Sequence, residues 1–218
     1  MSESIHTTER SHSLWKFLQS PVLYNGFQKC ISRKESVDFI TKELWKIEPG
    51  MKVVDIGCGP GNLRHLFPES ISYYGFDPSE EYINQARETF PGDSFHVGTM
   101  ESFYEEFGSE LDNRVDVVTS SGVLHHVPAA EMARILEITM KILKPDSERF
   151  AAIEPTYLVK QDKLSRWVLS RDRGMSILFD HQWRELFDEH FSKVSTRVIN
   201  GLLRIPYSHM LIKAYRVK

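Results

Sequence analysis

The stretch Val53-Val54-Asp55-Ile56-Gly57-Cys58-Gly59-Pro60-Gly61-Asn62-Leu63 constrains this chain more than any other. A β-branched apolar run ends in an acid, three glycines follow at alternate positions, and the residues after them can start a helix. The pattern predicts a strand, a tight turn and a helix N-terminus. Glycine has no Cβ to collide with a ligand, and in an open α/β sheet such a turn lies at the carboxyl edge, where ligands bind. Taken alone, the glycines also fit a purely structural strand-to-helix turn.

The spacing narrows the ligand. A dinucleotide fingerprint Gly-x-Gly-x-x-Gly would need glycine at position 62, where Asn62 stands. A carboxylate at Asp55 would repel a pyrophosphate and suits a ligand that carries an ammonium and a sulfonium. On these residues the chain resembles the class I S-adenosylmethionine-dependent methyltransferases, whose first motif reads acid-x-Gly-x-Gly-x-Gly. The resemblance implies S-adenosylmethionine as cofactor, with Asp55, Gly57, Cys58 and Gly59 around it. A second β-rich run, Ile71 to Phe76, leads into Asp77-Pro78-Ser79, with Asp77 standing 22 positions after Asp55. A βαβ unit places a carboxylate on ribose hydroxyls about 20 residues on, which assigns Asp77 and Pro78 to the cofactor. Ser79 caps a helix over 80–90, so Asp77 could instead be a second cap.

At 218 residues the chain has room for one α/β domain with a sizeable core and is short for two. With 41% hydrophobic and 26% charged residues it falls outside the disordered class. A net charge of -3 argues against a dedicated nucleic-acid binder. Cys30 and Cys58 lie far apart without metal-ligand spacing, as reduced thiols would. There is no signal peptide and no apolar span of about 18 residues. A cytoplasmic protein without membrane insertion, monomeric or homodimeric, is the expectation.

Along the chain, residues 1–48 read as an N-terminal helical region: Leu14, Trp15, Phe17 and Leu18 on a first amphipathic helix, and 34–46 as a second. In the resembled family such helices form a lid over the cofactor; simple cover for the sheet is the alternative. Strands are expected at 51–56, 71–76, 93–97, 115–119, 149–154, 193–199 and 209–217, with helices at 80–90, 130–143 and 180–191. Residues 49–218 then form one domain with an inserted helical segment at about 156–180. Alternating strands and helices imply a parallel sheet, and the last two strands, with no helix between them, imply an antiparallel hairpin. The fold expected is Rossmann-like α/β, with a seven-stranded mostly parallel sheet and helices on both faces. By position, Thr99 and Met100 after the third strand would meet the adenine ring, unless Met100 belongs to the core.

Methyl transfer from a sulfonium is an in-line displacement that asks the protein for proximity, alignment and removal of a proton from the nucleophile. The end of the fourth strand should face the methyl, and there the chain puts Ser120-Ser121-Gly122-Val123-Leu124-His125-His126-Val127. Ser120 is assigned to the cofactor. Histidine suits general-base work near neutrality. The resembled small-molecule enzymes often carry Leu-x-His-Val here, which makes His126 the first candidate for base and His125 the second. A histidine bonded to backbone as a brace is the alternative for either. No metal is expected, since adjacent histidines share an ion poorly and no carboxylate cluster is evident beside them.

Between Thr156 and Ser176, five cations against Asp162 and Asp172 give a local charge of +3, a field that favours an anionic acceptor. A solvated helix face is the alternative. In the hairpin, Arg204, Tyr207 and His209 should reach the acceptor pocket, joined by Arg173 from the insertion. The segments Asp172-Arg173-Gly174 and Leu203-Arg204-Ile205-Pro206-Tyr207 look like a bacterial subgroup found among surface-polysaccharide biosynthesis genes, which implies a small-molecule acceptor such as a sugar or nucleotide-sugar. A catalytically idle cofactor-binding partner subunit is the other reading of the same motifs.

Overall fold

The computed structural model describes residues 34–145, 149–172 and 176–216. Helix α1 (Lys34–Ile40) runs on into a π-turn, Thr41–Trp45, and is followed by strand β1 (Lys52–Ile56). Then come β2 (Ser72–Asp77), α2 (Glu80–Thr89), β3 (Ser94–Val97), α3 (Met100–Leu111), β4 (Val117–Ser121) and α4 (Ala129–Ile142). The chain continues through β5 (Arg149–Pro155), α5 (Lys163–Leu169), α6 (Asp180–Asp188), β6 (Lys193–Asn200) and β7 (Ser208–Tyr215).

The strands form one seven-stranded sheet in the order β3-β2-β1-β4-β5-β7-β6. The pairs from β3 to β5 are parallel. β7 runs antiparallel to both β5 and β6. The order reverses between β1 and β4, so their carboxyl ends open a crevice of the kind that binds ligands in doubly wound sheets.

Period-two alternation explains the two layers. Val54 and Ile56 of β1, Val118 of β4 and Phe150 and Ala152 of β5 face a core shared with α3, α4 and α6. Val53, Val117, Ala151 and Ile153 point the other way, into a core shared with α2 and with Leu44 and Trp45 of the π-turn. The described part of the N-terminal helical region therefore packs on the sheet; residues 1–33 lie outside the described residues.

Three expectations change. No α-helix follows the glycine turn, only a 3-10 turn at Arg64–Leu66. Pro68 comes too soon for a helix, and the buried Arg64 guanidinium instead gathers the carbonyls of Pro68 and Glu69 at 3.1 and 3.2 Å and pairs with Asp93 at 2.5 Å. A full helix, α3, occupies residues after β3 that carried no helix in the sequence reading. Thr99 and Ser102 start it with a reciprocal capping box. Finally, β4 reaches Ser121, two residues beyond its expected end, which carries its last side chains to the edge of the crevice.

Candidate active site

The turn after β1 has three glycines in the left-handed region, Gly57 at φ 63°, Gly59 at 54° and Gly61 at 86°. A Cβ on Gly57 would lie 2.6 Å from the Val123 side chain, whereas one on Gly59 would meet nothing within 4 Å. Gly59 is thus the point at which the cradle opens. Its N–H donates to Asp77 Oδ2 at 3.1 Å, and Ser79 N–H donates to Asp77 Oδ1 at 2.9 Å. Burial raises the Asp77 pKa, and these two backbone donors oppose the rise. Each carboxylate oxygen keeps lone pairs for a further donor. Asp77 and Pro78 therefore end β2 directly beside the cradle.

Asp55 is placed differently from the expectation that its charge meets the ligand. It is buried, and both oxygens are taken: Tyr73 Oη donates to one at 2.6 Å and Thr119 Oγ1 to the other at 2.7 Å. The residues come from β2 and β4, the two neighbours of β1, so the carboxylate braces the strands beneath the turn. Burial pushes its pKa up to about 6 against the opposing hydrogen bonds. Cys58 also turns inward. Its sulfur would lie 2.8 Å from a Cβ on Gly75, and burial pushes the thiol well above its usual range. Its backbone, bonded N–H to Phe76 O at 3.0 Å, shapes the turn.

Met100 belongs to the core, 1% exposed with Phe76 and Phe103. This corrects its assignment to the adenine ring: as the first residue of α3 it points under the helix, and the exposed Thr99 alone stands at the edge. Ser120 is buried and donates to Glu154 Oε1 at 3.4 Å.

Glu154, at the end of β5, is the organising group that the sequence reading missed. Fully buried, it accepts from the N–H groups of Val123, Leu124 and His125 at 3.1, 3.0 and 3.3 Å. Three successive backbone donors form a nest that offsets the cost of burying a carboxylate. The same carboxylate meets His125 Nδ1 at 2.7 Å. On the other side of the ring, Asp172 from the insertion lies 3.4 Å from Nε2. Tyr207 of the hairpin in turn donates a short hydrogen bond to Asp172. Burial alone would lower the His125 pKa, but hydrogen bonds to Asp172 and Glu154 and their charges raise it to about 9. His125 is therefore an imidazolium at neutral pH. In that state its ring holds both protons against the two carboxylates.

His126 stands exposed on the same turn, its ring centroid 4.0 Å from that of His125. Ligand atoms of His125, His126 and Asp172 lie within 4.8 Å of one another, so the fold brings one carboxylate from the insertion beside the paired histidines. Both His125 nitrogens already face carboxylates, an arrangement that a proton satisfies. His209, below Tyr207, is kept neutral by burial and by the His125 charge, with its pKa pushed down to about 4. The structure brings Tyr207 into the site and leaves Arg204 exposed in the loop between β6 and β7. Arg173 lies outside the described residues.

A signal for Glu154 was present, because it ends β5 as Asp77 ends β2. In the sequence Asp172 is one charge among the insertion's cations, and nothing in its spacing announces the 47-residue separation from His125 that the fold closes.

A family model described as a methyltransferase domain matches residues 54–148. Trans-aconitate 2-methyltransferase of Rhodopseudomonas palustris is 34% identical over 90 residues, 39% of this chain and 32% of that protein. Ubiquinone biosynthesis O-methyltransferase of Erwinia tasmaniensis is 29% identical over 102 residues, 46% of this chain and 41% of the relative. The chain thus matches less than half the length of either. Among solved structures, the YcgJ protein from Bacillus subtilis aligns with a TM-score of 0.64 at 14% identity, over 85% of this chain and 100% of that one. Geranyl diphosphate C-methyltransferase from Streptomyces coelicolor A3(2), crystallised with Mg2+, geranyl-S-thiolodiphosphate and S-adenosyl-L-homocysteine, gives 0.58 at 13% identity, over 84% and 76%. At such identities the likeness is one of fold. Strand order, the glycine cradle joined to Asp77 and the domain model matched over residues 54–148 all liken this chain to the class I S-adenosylmethionine-dependent methyltransferases.

Proposed function

We propose that the protein transfers a methyl group from S-adenosylmethionine to a hydroxyl of a small molecule, with a sugar or nucleotide-sugar as the first class to test. The observation that carries this reading is the open cradle at Gly59, tied by its own N–H to the Asp77 carboxylate at the point where the strand order reverses. Those residues fit the cofactor: a space that a Cβ would fill lies next to a half-buried acid with lone pairs to spare for ribose hydroxyls. Gly57, Gly59, Asp77, Pro78 and Thr99 would hold it, with Asp55, Cys58 and Ser120 acting beneath them. When bound, the cofactor supplies an electrophilic methyl on a sulfonium.

The chain's own residues would do the rest. Glu154 locks the turn 123–125 through three N–H bonds, so the neighbouring His126 is presented from a rigid support. His126 is the group placed to take the proton of the acceptor hydroxyl, since His125 is already charged. Asp172 and Tyr207 bring the insertion and the hairpin against this turn, which walls the acceptor side of the crevice.

Calorimetric titration with S-adenosylmethionine and S-adenosylhomocysteine tests the cofactor. Micromolar binding of either supports the proposal, and no binding removes it. Turnover of nucleotide sugars, read as S-adenosylhomocysteine released, then separates an enzyme from a cofactor-binding partner subunit.

A further inference from the structure

The most exposed large apolar side chains among the described residues are not scattered. Val159, Leu164 and Trp167, at 74%, 59% and 55% exposure, all fall on the insertion between β5 and α6. Leu164 and Trp167 lie three apart on α5, on one face of the helix. The opposite face is used: Ser165 and Leu169 are buried, and Gln161 binds both Ser165 Oγ and Ser208 Oγ, at 3.0 and 3.1 Å, which clips the segment to the start of β7. The apolar trio is therefore held outward by a fixed support.

Cations are interleaved with it. Lys160, Lys163, Arg166 and Arg171 are all exposed. Arg171 stacks over the Trp167 ring at 5.0 Å, and Arg166 over the Tyr157 ring at 5.7 Å. Of the two acids in the same stretch, Asp172 turns inward to meet His125, and Asp162, though exposed, is engaged as the cap of α5, accepting from the Ser165 N–H at 2.8 Å, which leaves the four cations in excess. A chain of net charge -3 thus presents one locally cationic, apolar face.

We propose that this face docks the protein onto an anionic lipid surface. Tryptophan and leucine enter the interfacial region of a bilayer while lysine and arginine heads stay at the level of the phosphates, and that combination needs both kinds of side chain on one face. A protein interface fits less well, because its core is depleted in lysine, and here Lys160 and Lys163 sit beside Val159 and Leu164. Nucleic acid would find the phosphate contacts but no use for two aliphatic side chains. The attachment is peripheral; no helix among the described residues is long and apolar enough to cross a membrane.

The test is co-sedimentation of the full chain with vesicles of phosphatidylcholine alone or mixed with phosphatidylglycerol. The expected result is binding roughly tenfold or more tighter to the mixed vesicles, weakening as salt is raised, with a shift of Trp167 emission to shorter wavelength, read as the difference from Trp167→Phe. Leu164→Ser combined with Trp167→Ser, and Lys160→Glu combined with Lys163→Glu, should each lower binding by roughly tenfold at an unchanged melting temperature. Equal binding to both vesicle types overturns the proposal. So does wild-type binding by both variants, which would place the contact elsewhere. It falls equally if the wild type ignores vesicles while the variants lose retention of RNA or self-association in solution.

Discussion

Glu154 and His125 meet at 2.7 Å between β5 and the turn after β4, with the carboxylate wholly out of solvent. Removing one partner of such a pair leaves the other charged and buried, which typically costs about 3–5 kcal/mol. Three backbone N–H groups would lose their acceptor as well. Glu154→Ala should therefore lower the stability by about that amount in urea unfolding, and Glu154→Gln by less, since an amide oxygen still accepts. Unfolding midpoints matching the wild type in both would show that the nest is not what holds the turn.

His126→Ala should leave folding and cofactor affinity intact and lower turnover roughly 10²-fold, the ordinary contribution of a positioned general base. The measurement is single-turnover rate with calorimetric affinity on the same preparation. Undiminished turnover would return His126 to a purely architectural role.

Asp77→Ala should weaken binding of S-adenosylhomocysteine more than tenfold, because a charge-assisted hydrogen bond contributes about 1.5–3 kcal/mol. Part of that loss comes through Gly59, whose N–H would lose its acceptor. Asp77→Asn should fall between the two, as the amide oxygen keeps one of the roles. Calorimetry on the three proteins checks the order.

Asp55 should leave a mark on the pH dependence of stability. Its pKa is about 6 in the fold, above the ordinary carboxylate value of about 3.9. Between those values the folded chain holds a proton that the unfolded chain has released, so this group's contribution to stability is fully present below about pH 4 and is lost as pH rises toward 6. The amount is on the order of 2–3 kcal/mol. Asp55→Asn should flatten that part of the curve, and an unchanged profile in urea melts from pH 4 to 7 would deny the assignment.

Much of this was legible in the sequence because it is local. The β-branched run before Gly57, the alternate glycines and the acid closing the second strand are written within a few residues of one another, and each follows from backbone sterics or a period of two. The seven strands and the final hairpin are read from the same periodicities. The missing helix after Gly61 depended on Arg64 reaching Asp93, and the burial of Met100 depended on Phe76 and Phe103 arriving from elsewhere.

The sequence by itself determined the class of fold, the strand that ends in the cradle, and the acid at position 77 that closes the second strand. Tertiary structure decided what each polar group does there. Asp55 becomes a buried brace only because Tyr73 and Thr119 flank it on adjacent strands, and His125 becomes an imidazolium only because Glu154 and Asp172, 29 and 47 residues away in the chain, close on both ring nitrogens. Charge state is set by burial and by neighbours, and neighbours distant in sequence exist only once the chain has folded.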